Sequence, residues 1–349
     1  MSWMLYGANG YTGALAAREA VRRGLAPLLA GRSRAPVEAL AGELGLESRV
    51  FALDGSAAAA DALEGVTLVL HCAGPFSATA APMMAACLAA RAHYLDITGE
   101  IAVFELAQSR AAEARAAGVV LCPGVGFDVV PTDCVAACLK EALPDATHLA
   151  LGFDGKSAMS RGTARTMVEG LAQGGCIREH GVLRRVPLGY RDRRIDFGAG
   201  EKLAATIPWG DVSTAYYTTG IGNIEAYVPV SPRALAGLRR LRYARWLLAL
   251  GAVQRLLKAR VDRQPPGPDE AERASTPTCV WGEARNAAGE VRTARVVTAN
   301  GYTVTVHGAL GVVARLLAGG APAGATTPAR LMGSRYVETL PGSGRVAIT

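Results

Sequence analysis

Hydrophobic and polar positions alternate in two rhythms along this chain. Over the first 145 residues, short apolar runs read as strands at 3–8, 26–32, 49–54, 66–73, 93–97 and 119–123. Alanine-rich stretches of helical period fall between and after them, near 12–23, 35–44, 56–64, 78–91, 102–117 and 132–142. Strands that alternate with helices predict a parallel sheet covered on both faces.

After Pro144-Asp145 the rhythm changes. A strand is expected over 147–154 and a helix over 160–173, opening on a serine cap. Strand-like pieces follow at 182–197, 214–219 and 223–230, then a basic amphipathic helical region at 233–261. Residues 264–277, rich in Pro, Gly and acid, read as an exposed loop. Runs at 280–283 and 291–298 flank Asn286-Ala287-Ala288-Gly289 as a hairpin, and a helix near 302–318 precedes a short tail. The expected organisation is an α/β fold, a Rossmann-type doubly wound parallel sheet over 1–145 followed by a second, α+β domain over 146–320. A C-terminal segment, 321–349, is expected to pack back on the first domain.

Composition narrows the possibilities. A chain of 349 residues exceeds what one core usually serves, and a half-hydrophobic content excludes wholesale disorder. The net charge of +7 is nearly all arginine, because Lys140, Lys156, Lys202 and Lys258 are the only lysines. Such an alanine- and arginine-rich chain is not read as nucleic-acid binding, although its field favours phosphorylated cofactors and acidic substrates. Seven cysteines without a CxxC pair argue against structural zinc or disulfides and for a reducing compartment, and no metal is expected. No apolar run approaches the ~20 residues of a membrane span, and the chain opens directly into a strand, so a cytoplasmic protein is expected.

The chemistry begins at Gly7-Ala8-Asn9-Gly10-Tyr11-Thr12-Gly13, set directly after the first strand and before a helix. Gly7 permits a tight turn, Gly10 lets backbone approach a pyrophosphate, and Gly13 allows close helix–strand packing. Helix-end amides then face the diphosphate. In a chain with 41 glycines the spacing alone is weak; its place in a strand–turn–helix unit carries the reading. The second strand ends Gly31-Arg32-Ser33-Arg34, without the acid that usually holds an NAD ribose. Arg32, helped by Ser33 and Arg34, instead suits the 2′-phosphate of NADP(H), so NADP is expected over NAD. Asp54 is either an adenine-edge contact or a plain strand-end turn.

Four further segments join that turn: Cys72-Ala73-Gly74-Pro75-Phe76, Tyr94-Leu95-Asp96-Ile97-Thr98-Gly99-Glu100, the run from Gly124 to Asp133, and Ser160-Arg161-Gly162-Thr163. Together they resemble the saccharopine dehydrogenase-like NAD(P)-binding oxidoreductases, particularly their trans-acting enoyl reductase branch. The resemblance is dense over residues 1–135 and thinner beyond. It implies a nicotinamide dinucleotide, with Gly7, Gly10, Tyr11, Thr12, Gly13 and Arg32 on its adenylate and phosphate side. It also implies that Ala73, Gly74 and Pro75 line the nicotinamide ribose, a placement that topology gives independently. Asn9 completes the phosphate turn, and Thr98, Gly99, Glu100, Phe127 and Asp128 fall on the same rim. The second domain is implied to supply a substrate pocket and often a homodimer surface.

Catalytic roles are less determined by sequence. Arg161, at a helix start with Ser160 and Thr163, is the expected anchor for a carboxylate or polarised carbonyl. Tyr94 and Glu100 are candidate proton donors, and Asp128 and Asp133 are read as helix caps. No Tyr-x-x-x-Lys, HExxH or Gly-x-Ser-x-Gly element is present. The basic region, with Arg242 and Ala249 inside it, either covers its own core, rests on anionic lipid, or receives an acidic acyl carrier protein. The expected activity is hydride transfer to an activated C=C bond, enoyl and acyl-chain-like, in an interdomain cleft; the enoyl choice follows from the family branch alone. An amino-acid imine or carbonyl reductase and a non-catalytic dinucleotide sensor or assembly factor are the alternatives.

Overall fold

The computed structural model describes residues 2–54, 56–241, 243, 245–248 and 250–349. Arg242 and Ala249 of the basic region therefore lie outside the described residues. The chain divides into two compact units, Met1–Val130 with Tyr302–Gly333, and Pro131–Gly301 with Ser334–Thr349.

The first unit opens with β1 (Ser2–Tyr6), α1 (Tyr11–Arg22), β2 (Leu28–Gly31), α2 (Arg34–Leu44), β3 (Ser48–Val50) and α3 (Ser56–Asp61). It continues with β4 (Val66–His71), α4 (Phe76–Ala90), β5 (His93–Asp96), α5 (Ile101–Ser109), α6 (Ala111–Ala117) and β6 (Val120–Cys122). The next elements are α7 (Val130–Ala142), β7 (His148–Gly155), α8 (Arg161–Gln173), β8 (Gly175–Glu179), β9 (Val182–Val186), β10 (Asp192–Asp196), β11 (Glu201–Ile207) and α9 (Asp211–Thr219). Then come β12 (Asn223–Pro229), α10 (Pro232–Leu241), α11 (Arg245–Leu248), α12 (Gly251–Val261), α13 (Glu270–Ser275), β13 (Thr278–Arg285) and β14 (Val291–Thr298). The last are α14 (Gly301–Leu317), β15 (Gly324–Ala325), α15 (Pro328–Met332) and β16 (Ala347–Ile348).

In the first unit the strand order is β3-β2-β1-β4-β5-β6-β15, and every pairing is parallel. This is the doubly wound order whose chain reversal falls beside β1. The central strands are buried on both faces, so Trp3–Tyr6 and Val66–His71 read as nearly unbroken apolar runs. The helix expected over 102–117 is two helices, parted at Arg110, whose N–H is shared between the Leu106 and Ala107 carbonyls.

The seventh strand lies far along the chain. Gly324 N–H bonds to Val119 O at 2.8 Å and Thr326 N–H to Leu121 O at 3.0 Å, extending the sheet beyond β6. With α14, this brings 302–333 into the first unit rather than the second, and the division falls after Val130 rather than near 145. Only the last residues, 334–349, rejoin the second unit, where Ile348 of β16 pairs with Ala294.

The second unit is α+β, with a mixed sheet ordered β10-β11-β12-β7-β13-β14-β16. Its centre is the parallel pair β7–β12 and the long antiparallel hairpin β13–β14. Helix α7 lies close on β13, because a Cβ at Gly282 would come within 2.6 Å of Val135 Cγ1 and 2.8 Å of Leu139 Cδ1. Sequence expectation departs most from structure here. Residues 214–219 are helical rather than extended: burial of Val212, Thr214 and Ala215 outweighs the strand preference of their β-branched and aromatic side chains. Strands β8 and β11 were not anticipated. The loop 264–277 contains α13, capped by Asp269, which accepts the Glu272 N–H. Among the described residues no helix is long and apolar enough to cross a membrane, and no cluster of His, Cys, Asp or Glu suits a metal.

Candidate functional site

The glycine loop between β1 and α1 is built to backbone tolerances. Gly7 has φ +81°, and a Cβ there would meet Ala73 N at 2.7 Å. Its N–H and that of Ala8 both bond to Ala30 O, at 2.7 and 3.1 Å, tying the loop to β2. A Cβ on Gly13 would lie 2.2 Å from Gly7 O, so α1 rests directly on the loop. Gly10 differs: its Cβ would meet only Gly7 O, at 3.2 Å, leaving the space above it open. Gly10 is also the N-cap of α1 and no side chain caps the helix. The positive end of α1 therefore faces a cradle that a larger residue at position 10 would fill, as a diphosphate requires. Asn9 lies at the end of β2, its Oδ1 3.2 Å from the Cβ position of Gly31, and Tyr11 stacks edge-on against Tyr302.

The carboxyl ends of β1, β2 and β3 gather the charged groups. Tyr6 donates its hydroxyl to Phe51 O at 3.0 Å. Burial pushes this phenol up to about 12, with Arg32 pulling it down and Asp54 pushing it further up, so both charges flank it. Arg32 and Ser33 are exposed. Arg34 is held by Glu38 at 2.7 Å, whereas Arg32 makes no hydrogen bond or ion pair among the described residues. The end of β2 thus presents one uncommitted guanidinium and no carboxylate.

The rim formed by β4, β5 and β6 is organised around Asp96. Its Oδ2 accepts the Tyr94 hydroxyl at 2.7 Å, and its Oδ1 accepts the Thr98 and Gly124 N–H groups at 3.0 and 2.8 Å. Burial still wins over these bonds and pushes Asp96 up to about 6. Thr98 Oγ1 in turn accepts the Glu100 N–H, and Glu100 Oε1 accepts the Phe76 N–H, both at 3.0 Å. A chain of bonds therefore runs from Asp96 through Thr98 and Glu100 to the loop Ala73–Gly74–Pro75. Thr79 braces that loop from below, donating to Ala73 O at 2.7 Å while it meets His71 Nε2 at 2.9 Å. Burial drives the His71 imidazole down to about 3, so it stays neutral as part of this brace.

The structure sorts the expected residues. Gly7, Asn9, Gly10, Tyr11, Thr12 and Gly13, with Arg32, Ser33, Asp54, Ala73, Gly74, Pro75, Thr98 and Glu100, all belong to the first unit, at the carboxyl ends of its strands. Tyr94 lies beneath the rim: it is fully buried, and its hydroxyl is given to Asp96. It is a strut, not a presented proton donor. Arg161 belongs to the second unit, where its N–H bonds to Pro266 O and its Nε–H to Gln264 O at 2.6 Å. The helix-start amide meant to receive an anion is therefore already engaged. Ser160 does cap the helix, accepting the Thr163 N–H at 3.3 Å.

Asp128, read from sequence as a helix cap, lies over Gly99, whose Cβ position is 3.1 Å from Asp128 Oδ2. Burial pushes its carboxyl up to about 7. Its neighbour Phe127 donates its N–H to Thr305 Oγ1 at 3.0 Å, a partner from α14 that no local pattern announces. Asp96 could have been suspected, since it ends an otherwise apolar strand.

Fold and loop define a dinucleotide-binding domain of Rossmann type, and comparison with known proteins narrows the class. Residues 3–122 match the family described as saccharopine dehydrogenase NADP binding domain. A trans-acting enoyl reductase of Mycobacterium ulcerans is 32% identical over 145 residues, 37% of this chain and 33% of that protein. The human saccharopine dehydrogenase-like oxidoreductase is 28% identical over 152 residues, 37% of this chain and 35% of its own. The matched part thus spans about a third of either relative. Among solved structures, saccharopine dehydrogenase (L-Glu forming) of Saccharomyces cerevisiae superposes with a TM-score of 0.67 at 10% identity, covering 100% of this chain and 99% of that one. That likeness concerns the fold alone.

Two substitutions test this geometry. Gly10→Val should leave the melting temperature nearly unchanged and abolish measurable dinucleotide binding by fluorescence titration; retained binding would remove the loop from the site. Tyr94→Phe, which strands a buried Asp96 oxygen, should cost about 1–3 kcal/mol in chemical denaturation without altering dinucleotide affinity.

Proposed function

We propose that this protein is an NADP-dependent oxidoreductase that reduces an activated C=C bond of an enoyl, acyl-chain-like substrate. The observation that carries the cofactor reading is the open glycine cradle together with Arg32, exposed and uncommitted where an NAD-preferring site would place an acid. The enoyl preference rests on the trans-acting enoyl reductases among the relatives.

The dinucleotide, when bound, supplies hydride. The chain's own part is to bind, orient and move a proton. Main-chain amides at the start of α1 would hold the diphosphate, and Arg32 with Ser33 the 2′-phosphate. Ala73, Gly74 and Pro75, positioned by Glu100 through the Phe76 amide, would line the nicotinamide ribose, with Thr98 beside them. Asp128 is the group suited to deliver the proton. A carboxyl that titrates near 7 is half protonated at neutral pH, where an ordinary carboxylate is not.

Arg32→Ala should weaken NADPH by about 10–100-fold and leave NADH nearly unaffected. Equal loss for both would refute the phosphate assignment. Because the Asp128 pKa is raised, its proton is present below about pH 7 and lost above it. NADPH oxidation with enoyl thioesters should therefore fall as pH rises through 7, and Asp128→Asn should be slow without that inflection. Oxidation with imines or carbonyls but not enoyl thioesters would overturn the substrate reading, and tight cofactor binding without any turnover would overturn the enzyme reading.

A further inference from the structure

The surface least explained by dinucleotide chemistry lies in the second unit, on helices α10, α11 and α12. Between Glu225 and Asp262 the sequence has no acid and eight basic residues. Two of these are neutralised within the unit: Arg239 pairs with Asp192, and Lys258 with Glu169. Arg233, Arg240, Arg255 and Arg260 are exposed and have no ion pair among the described residues.

The same stretch carries five of the eleven large apolar side chains that the described surface leaves in water. Tyr243 is 74% exposed, Trp246 65% and Leu256 71%, with Leu247 and Leu250 exposed beside them. These helices do have an inner face. Gln254 Nε2 donates to Val168 O at 3.2 Å, and Lys258 Nζ pairs with Glu169, so this side of α12 lies against α8. At 100° per residue, Leu256 falls on the opposite side of α12 from Gln254, in line with Arg260 one turn on. Alongside α10, an open groove of about 490 Å³ is lined by Leu203, Pro232, Leu235, Ala236, Arg239, Arg240 and Tyr243. Large apolar groups surrounded by unpaired cations are not what a solvated surface retains without a partner.

We infer that this face is a membrane-docking surface that lies on an anionic phospholipid bilayer. Aromatic and leucine side chains entering the headgroup region, with arginines beside them on lipid phosphates, are the marks of an interfacial helix. A second copy of the same face is disfavoured, because the exposed Arg233, Arg240, Arg255 and Arg260, none in an ion pair among the described residues, would meet the same four cations again. A folded acidic partner would need sockets for side chains that protrude singly, whereas a fluid interface accepts them as they stand. The inference is independent of the hydride chemistry.

Flotation of the full chain with phosphatidylcholine vesicles, with and without phosphatidylglycerol, tests it. The protein should float only with phosphatidylglycerol present, its tryptophan emission should shift to the blue, and high salt should release it. Trp3 and Trp281 are buried and Trp209 is half-buried against Phe153, so the shift should report chiefly the exposed Trp246 and be lost in Trp246→Ser. Arg240→Ala and Arg255→Ala should each weaken binding about fivefold, and Trp246→Ser roughly tenfold. Unchanged melting of these variants separates lost docking from lost folding. The proposal is overturned if the chain ignores phosphatidylglycerol or floats equally on neutral vesicles. It is equally overturned if the lipid-free protein is a dimer that Trp246→Ser renders monomeric, or if it binds an acidic acyl carrier protein but not vesicles.

Discussion

Everything at the nucleotide end of this molecule follows from how closely α1 can approach the loop that precedes it. The Gly7 carbonyl and the Gly13 α-carbon leave no room for a methyl group, and Gly7 is itself pressed against the backbone of the β4 loop. Three chain segments thus meet at distances that only hydrogen side chains permit. This contact aims the start of α1 at the crest of the sheet, and the openness above Gly10 is meaningful because everything around it is tight. A phosphate-sized space bordered by amides and a helix end is an electrostatic feature before it is a chemical one.

Beside that cradle, a second constraint governs protons. Asp96 is sunk in the core, yet three donors converge on it, and the balance leaves its carboxyl easier to protonate than a surface acid. Its oxygens join β5, the loop after it and the loop after β6, so the rim is held by bonds from below. Asp128 is displaced further upward, by burial. Two acids a few residues from the same rim therefore have different work. One is a fastener, surrounded by donors; the other retains a proton near neutrality.

Much of the first unit was legible in the amino-acid pattern, and for a physical reason. Strands buried on both faces must be apolar throughout, so β1 and β4 stand out, and the glycines of the loop are demanded by local sterics. The fate of Tyr94 was not legible: its place on the rim or beneath it depends on what lies below β5, and Asp96 supplies the partner that draws it inward. Arg34, read as a helper of Arg32, is instead engaged by Glu38 one helical turn on, a pairing that the motif reading did not weigh. In the second unit the pattern failed where tertiary burial overrode local preference, as in α9, and where strands such as β11 begin with charged residues. Arg161 was placed correctly at a helix start, but the returning segment at Gln264 and Pro266 takes its donors, a long-range event no window of sequence contains.

The β15 strand has a consequence for how the molecule is made. Because the edge of the nucleotide-binding sheet is completed by Gly324 and Ala325, the domain that β1 opens cannot close until the chain has been made as far as those residues. During synthesis β6 waits as an open edge while the second unit is made, a template for mispairing. Cutting the chain after residue 130 to obtain a portable nucleotide-binding module would leave that edge bare, so any transplant must carry 302–333 with it.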